Sequence, residues 1–281
     1  MYKFIKSAGL SFCLIFLTAC GAKISPENSF NATLPPSFAS FEENSNLLTE
    51  AEPSREEGVW DLSDLDISYV QSNRKLMAFT FDDGPSKTME NILAVFADYN
   101  EHNPDCIATA TFFLNGMHIT QEAYPLLHTA LILGCELGNH THNHHDITTL
   151  SHEELQTEIT ATDQLLARVD GKPLHLLRPP FGHINEDVKA HLQTPVINWT
   201  IDTLDWTGEP EENIYNCVFN ARFSGAIVLM HDGYQATVNA LKRLLPDLKA
   251  DGYQIVSVSA LAKAHGCKLY NQKEYIRARK R

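Results

Sequence analysis

The chain has 281 residues, 43% of them hydrophobic and 20% charged, with a formal net charge of -13 at pH 7. That length suits one catalytic domain with a single large core, preceded by a leader and a linker. An acidic chain gains nothing from the phosphate attraction that drives nucleic-acid binding, so nucleic acid is not an expected partner.

Lys3 and Lys6 precede an apolar run from Ala8 to Leu17. The run is shorter than the ~20 residues that span a membrane. It fits the core of a secretory signal peptide over residues 1–19. Leu17-Thr18-Ala19-Cys20 resembles a bacterial lipobox. That resemblance implies cleavage before Cys20, lipidation of its thiol, and export to the cell envelope as a membrane-anchored lipoprotein. The absence of Asp at Gly21 points, by the same resemblance, to the outer membrane of a Gram-negative bacterium. Residues 20–73 hold Pro26, Pro35, Pro36 and Pro53 among Glu42, Glu43, Glu50, Glu52, Glu56 and Glu57, with no sustained apolar period. They are expected to form a flexible acidic tether. Its end, Val59–Val70, mixes apolar and acidic residues and is expected to dock on the domain.

The domain itself is expected over residues 74–281. Leu76–Phe81 reads as a buried strand that stops at Asp82-Asp83-Gly84-Pro85. A helix follows over Thr88–Tyr99, a strand over Ala108–Leu114, a helix over Gln121–Leu133 and a short strand over Glu136–Asn139. Ser151-His152-Glu153-Glu154 is a capping box that opens a long helix to Val169. Leu174–Leu177 reads as a strand, Asn185–Gln193 as a short helix and Val196–Ile201 as a strand. Then come a helix over Glu211–Arg222, a strand over Ala226–Met230, a helix over Tyr234–Lys249 and a last strand over Ile255–Val258. Alternating strands and helices require right-handed crossovers and a parallel sheet. About seven such units predict an α/β fold, a distorted parallel (β/α) barrel, closed or incomplete.

Outside the leader four cysteines remain: Cys106, Cys135, Cys217 and Cys267. An even count in an exported chain is compatible with two disulfides, with three pairings open, or with free buried thiols. Cys106 and Cys135 could pair if both start neighbouring strands, leaving Cys217 for Cys267.

In parallel α/β folds the chemistry gathers at the C-terminal ends of the strands. Here Asp82, Asp83, His140, Arg178, Asp202, Asp205, His231 and Asp232 each follow an expected strand. The segment Gly138–Asp146 holds four of the chain's 13 histidines. His140 and His144, at i and i+4, can turn two imidazoles to one side of a helical turn. Asp82 and Asp83 could supply one carboxylate ligand and one base. Two His and one carboxylate leave a catalytic metal with an open position.

These residues carry a resemblance to the polysaccharide deacetylases, the NodB-homology domain of carbohydrate esterase family four. Thr80–Pro85 resembles the family's first signature, His140-Thr141 with His144 the second and Arg178–Gly182 the third. Asp202–Trp206 resembles the fourth and Leu229-Met230-His231 the fifth. The resemblance runs from Lys75 to Ala260. It implies that Asp83, His140 and His144 hold Zn²⁺, with Co²⁺ or Mn²⁺ as alternatives. It implies Asp82 as general base, His231 as general acid, Arg178 as the partner of Asp82 and Asp205 as the partner of His231. The backbone N–H of Phe181 would stabilise an oxyanion, and Trp206 and Leu229 would wall the sugar and the acetyl methyl. Asn143 and His145 stand where the family often has Ser and Pro, and Phe181 where it often has Tyr. His142 and His145 are expected outside the ligand set, and His183 and His191 at the surface.

The expected function is N-deacetylation of an N-acetylglucosamine-containing glycan: peptidoglycan, a chitin-like oligomer or an exopolysaccharide. Competing readings are an O-acetyl esterase on acetylated xylan, a non-catalytic glycan-binding lipoprotein, and a His-rich metal-buffering protein. Nothing in the sequence sets the oligomeric state.

Overall fold

The computed structural model describes residues 58–279; the leader, Cys20 and most of the acidic stretch lie outside the described residues. Strand β1 (Lys75–Gly84) leads to α1 (Lys87–His102), β2 (Thr111–Leu114) to α2 (Tyr124–Ile132), and β3 (Glu136–Asn139) to α3 (His152–Asp170). Then follow α4 (Glu186–Ala190), β4 (Val196–Ile197), β5 (Ile201–Asp202), α5 (Glu211–Ala221), β6 (Ile227–His231) and α6 (Gln235–Ala250). The chain ends on β7 (Tyr253–Val256), α7 (Val258–Ala264) and β8 (Glu274–Tyr275).

Alternation along β1 sorts its side chains. Met77, Phe79 and Phe81 join the large apolar cluster shared with α1, α5 and α6. Leu76 and Ala78 join a second cluster, with Phe113 and Ile227 from the neighbouring strands. Thr80 and Asp82 continue that second face, because side chains two apart share a side. The same strand surface is therefore apolar near its start and polar near its end.

The strands are parallel in the order β3-β2-β1-β6-β5, and β7 pairs with the start of β1. Leu177 bridges Asn139 on one side and Val196 on the other. The run 196–202 thus meets Leu177 at its start and β6 at its end, closing the sheet into the distorted parallel barrel expected.

Beyond the extra strand β8, three of the expected elements come out differently. The strand at Leu174–Leu177 shrinks to the single bridging residue Leu177. Pro179 and Pro180 follow at once, and proline cannot donate to a ladder. The strand at Val196–Ile201 is split in two. Arg178 explains the break: Nε donates to the carbonyl of Ile197 at 3.0 Å and Nη2 to that of Asn198 at 3.4 Å. Val258 leaves the last strand for α7, which Ser257 caps by accepting from the N–H of Ala260.

Residues 59–70 do dock. Trp60, Leu62, Leu65, Ile67, Tyr69 and Val70 pack on the second cluster, covering the barrel where β1 begins. Lys263 Nζ donates to the carbonyls of Leu62, Ser63 and Leu65 at 2.7, 2.8 and 2.7 Å. Gln254 accepts from the N–H of Gln71 and donates to the carbonyl of Tyr69.

The possible disulfides are not formed; all four cysteines are free thiols. Each faces a neighbour of its own. Cys106 precedes β2 and lies against the carbonyl of Tyr253, whereas Cys217 in α5 donates to that of Asp202 at 3.2 Å.

A buried staple ties α3 to the end of β3. His175 Nδ1 lies 2.9 Å from Asp163 Oδ1, and Nε2 lies 3.2 Å from Asp170 Oδ1. Asp163 Oδ1 also accepts from Nδ2 of Asn139, the residue before His140. Burial lowers the pKa of His175, but the bonds and charges of Asp163 and Asp170 outweigh it and raise the pKa overall. A raised folded pKa stabilises fully below the unfolded value of ~6.5 and is lost as pH rises through the folded value. His175→Gln is therefore expected to be less stable than the native chain at pH 6, with the gap narrowing at pH 9, in urea melts at both pH values.

Candidate active site

The polar end of the barrel holds the expected residues together. Two adjacent residues of a regular strand point to opposite faces, so Asp82 and Asp83 would ordinarily diverge. A register shift between Asp82 and Gly84 in the β1–β2 ladder prevents this. Asp83 sits in the left-handed region with φ 72°. This irregularity re-aims its carboxylate. As a result Asp83 Oδ1 lies 3.4 Å and Asp82 Oδ2 3.7 Å from the same nitrogen, His140 Nε2. Gly84 is needed here because a Cβ would lie 2.5 Å from Asp232 Oδ2.

His144 Nε2 lies 3.4 Å from the same Asp83 oxygen. The two histidines do not converge through a helical turn, as their spacing suggested. The segment is an irregular loop in which Thr141 (φ 63°) and His144 (φ 56°) are left-handed. Glu158 of α3 shapes this loop, accepting from the N–H groups of His142 and Asn143 at 3.0 and 2.7 Å and from Asn143 Nδ2 at 2.7 Å. That contact gives Asn143 its place in the loop. His145 faces Glu158 at 3.6 Å, and neither it nor His142 belongs to the group able to share an ion.

Asp83, His140 and His144 can hold a metal ion. Ligands ~2.0–2.1 Å from one zinc ion at tetrahedral angles stand about 3.4 Å apart, which is the spacing of Asp83 from both rings. Asp83 Oδ1 is buried and accepts no hydrogen bond, a costly arrangement that a cation would relieve. His140 Nδ1 bonds the carbonyl of Arg178 at 2.8 Å, which leaves the Nε2 lone pair for a ligand. Burial, then the neighbouring His140, lower the pKa of His144 and favour its neutral, ligating form. Burial alone would raise the pKa of Asp83, but His140, His144 and His231 hold it at about 2.

Arg178 is fully buried and donates Nη1 to Asp82 Oδ1 at 2.7 Å and to Thr80 Oγ1 at 2.6 Å. It takes one oxygen of Asp82 and leaves Oδ2 on the side of His140. Across the β1–β6 ladder Asp82 and His231 are register partners. Asp205 Oδ1 lies 2.7 Å from His231 Nδ1, while its Oδ2 accepts from the N–H of His231 and from Thr237 Oγ1. Burial opposes protonation of His231, but the Asp205 bond and the charges of Asp82, Asp205 and Asp83 outweigh it, so its pKa is raised.

Apolar groups rim the site. Phe181 and Trp206 are exposed, as is Leu204, whereas Leu229 is buried in β6. The Phe181 ring lies 4.8 Å from that of His144. Phe181 (φ 60°) and Leu204 (φ 55°) are again left-handed. Among the described residues six non-glycine positions have positive φ, and all but Gln272 lie in these site loops. Such strain persists only where surrounding contacts hold it, and it clusters at functional sites.

Sequence reasoning missed Thr237, gave Thr80 no role of its own, and put Asp232 on the rim without a partner. Asp232 accepts from both the N–H (2.7 Å) and Oγ (2.8 Å) of Ser86, and its own N–H donates to the carbonyl of Asp82 at 2.8 Å. It pins the turn after β1 to the end of β6. Its position directly after His231 was the available signal. Asp202 is structural, accepting from the N–H of Leu204 at 2.9 Å.

A buried carboxylate, an imidazole paired to a second carboxylate and three side chains able to share an ion stand on one rim of a parallel barrel, the parts that a metal-dependent hydrolase of acyl groups needs. The sequence profile described as polysaccharide deacetylase matches residues 69–195. Over 201 residues the chain is 38% identical to peptidoglycan-N-acetylglucosamine deacetylase of Bacillus cereus, covering 68% of this chain and 90% of that protein. It is 34% identical to peptidoglycan-N-acetylmuramic acid deacetylase PdaC of Bacillus subtilis over 68% of this chain, but spans only 40% of that longer relative. Among solved structures, the Xyl-CE4 domain of a multidomain xylanase from the hindgut metagenome of Trinervitermes trinervoides superposes with a TM-score of 0.68 at 30% identity. That match covers 73% of this chain and 98% of the domain. The chain belongs to the polysaccharide deacetylase family.

Proposed function

We propose that this deacetylase removes N-acetyl groups from an N-acetylglucosamine-containing polysaccharide, with peptidoglycan the favoured substrate and zinc the metal. The observation that carries the reading is the pairing of Asp82 and His231 across β1 and β6, beside the Asp83–His140–His144 triad. The peptidoglycan relatives support the substrate class.

A divalent cation held by Asp83, His140 and His144 supplies Lewis acidity toward a carbonyl oxygen and toward water. Asp82 accepts the proton of the attacking water on Oδ2, the oxygen that Arg178 leaves free. The backbone N–H of Phe181 donates to the developing oxyanion. His231 delivers its Nε2 proton to the departing amine, with Asp205 fixing Nδ1 as the donor to its own carboxylate. The amine needs that proton, because an amide anion is a very poor leaving group. Trp206 and Leu229 flank the sugar and the acetyl methyl.

Acetate release and glycan mass from peptidoglycan, chitooligosaccharides and acetylxylan, each with zinc-loaded and chelated protein, test the reading. Deacetylated amino sugars only in the loaded samples support it. Release from acetylxylan alone would make the protein an O-acetyl esterase, and binding without release would make it a glycan-binding protein. His231→Ala is expected to slow amide substrates far more than activated esters, which need no proton on the leaving group. Equal losses on both would remove His231 from the acid role.

The leader and Cys20 support an exported lipoprotein, held in the cell envelope by acyl chains. We place it in the outer membrane of a Gram-negative bacterium. Cys20→Ala is expected to shift the protein from the membrane fraction to the soluble fraction, and retention in the membrane would exclude the lipid anchor.

A further inference from the structure

One group of side chains outside the active site has the makings of an ion site: His152, Asp187 and His191. One ligand atom from each lies within 4.8 Å of the other two. His152 opens α3, Asp187 lies in α4 and His191 closes α4. His152 Nε2 stands 3.0 Å from Asp187 Oδ2. His191 Nδ1 bonds the carbonyl of Asp187 at 2.8 Å, which puts the lone pair of a neutral ring on Nε2. The same device orients His140, where the acceptor is the carbonyl of Arg178.

A second observation points the same way. The His152 and His191 rings stack with centroids 3.5 Å apart and planes 28° apart. The stack holds the two imidazoles side by side where α3 begins and α4 ends. Gln156 Nε2 donates to the carbonyl of His191 at 2.8 Å and fixes the end of α4 against α3. The ligands are thus arranged before any ion arrives.

We propose that His152, Asp187 and His191 form a second divalent-cation site that clips α3 to α4. Two imidazoles and one carboxylate suit zinc and its neighbours in the transition series; magnesium and calcium prefer all-oxygen shells. The His152 and Asp187 side chains are 53% and 70% exposed, so the site exchanges its ion freely, unlike His140 at 3%.

The clip has a consequence for the reaction. Helix α3 follows the loop that carries His140 and His144, and α4 follows the loop that carries Arg178 and Phe181. His183 and Asp146 already tie these loops at 2.8 Å. A cation on the three ligands adds a second tie, with no group of the reaction taking part.

Calorimetric titration of the metal-depleted protein with zinc alone tests the proposal. The native chain is expected to take two equivalents. His152→Gln/His191→Gln is expected to take one, and His140→Gln/His144→Gln also one, retained at the clip. Zinc is expected to raise the Tm of the His140→Gln/His144→Gln protein but not that of a chain lacking all four histidines. Asp187→Asn keeps both rings and is expected to weaken the clip equivalent by ~10-fold or more. An unchanged Tm in chelator shows that the surface variants fold. One equivalent in the native chain, or two in His152→Gln/His191→Gln, overturns the proposal. Because each site is removed separately, loss of the clip is distinguishable from failure of the deacetylase reading.

Discussion

Asp82→Asn is expected to slow acetate release by a factor of ~10²–10⁴, the usual contribution of a positioned acid or base. The variant should still bind its cation, because Asp83, His140 and His144, the three side chains able to share an ion, are untouched. Asn keeps an oxygen for the bond from Arg178 Nη1, now 2.7 Å, so the fold should hold. What it loses is the basic oxygen facing His140. Single-turnover kinetics beside a zinc measurement separate the two effects. Loss of the cation along with the rate would make Asp82 a ligand rather than a base.

Arg178→Met is expected to be the most damaging change to stability. The guanidinium is fully buried and has no water to replace. It lies over the Phe113 ring at 4.2 Å, bonds Asp82 and Thr80, and holds the carbonyls of Ile197 and Asn198. Removing one partner of a buried ion pair typically costs about 3–5 kcal/mol, since the other charge stays buried and alone. Urea melts should show that loss. The double variant Asp82→Asn/Arg178→Met should recover part of it, because the stranded carboxylate is gone. A double variant worse than the sum of the singles would mean that Arg178 matters mainly for closing the barrel at the break between β4 and β5.

The location of the candidate site was legible in the sequence because its residues stand at or just beyond strand ends. Asp82, His140, Arg178 and His231 could be placed on one rim without knowing any distance, since a parallel barrel brings its strand ends together. What stayed hidden depends on backbone detail. An Asp-Asp pair gives no sign that a register shift will turn both carboxylates the same way. The spacing of His140 and His144 fits a helical turn as well as the irregular loop that forms. Val258 was read as strand because Ile255, Val256 and Val258 are apolar and β-branched, while the capping role of Ser257 is equally local and was overlooked. The run 196–201 looked continuous because the guanidinium that interrupts it comes from residue 178. His152 and His191 lie far apart in the chain, and no pattern links them.

The left-handed residues around the rim bear on how this enzyme can change. Thr141 and Leu204 hold a backbone conformation that glycine adopts without penalty. Selection for heat resistance alone should therefore drift toward glycine at these positions, relaxing the loops and lowering turnover together. Selection for turnover should keep the bulky residues, and with them a permanent tension. The rim is where robustness and speed compete, while the outer helices can be improved without that conflict.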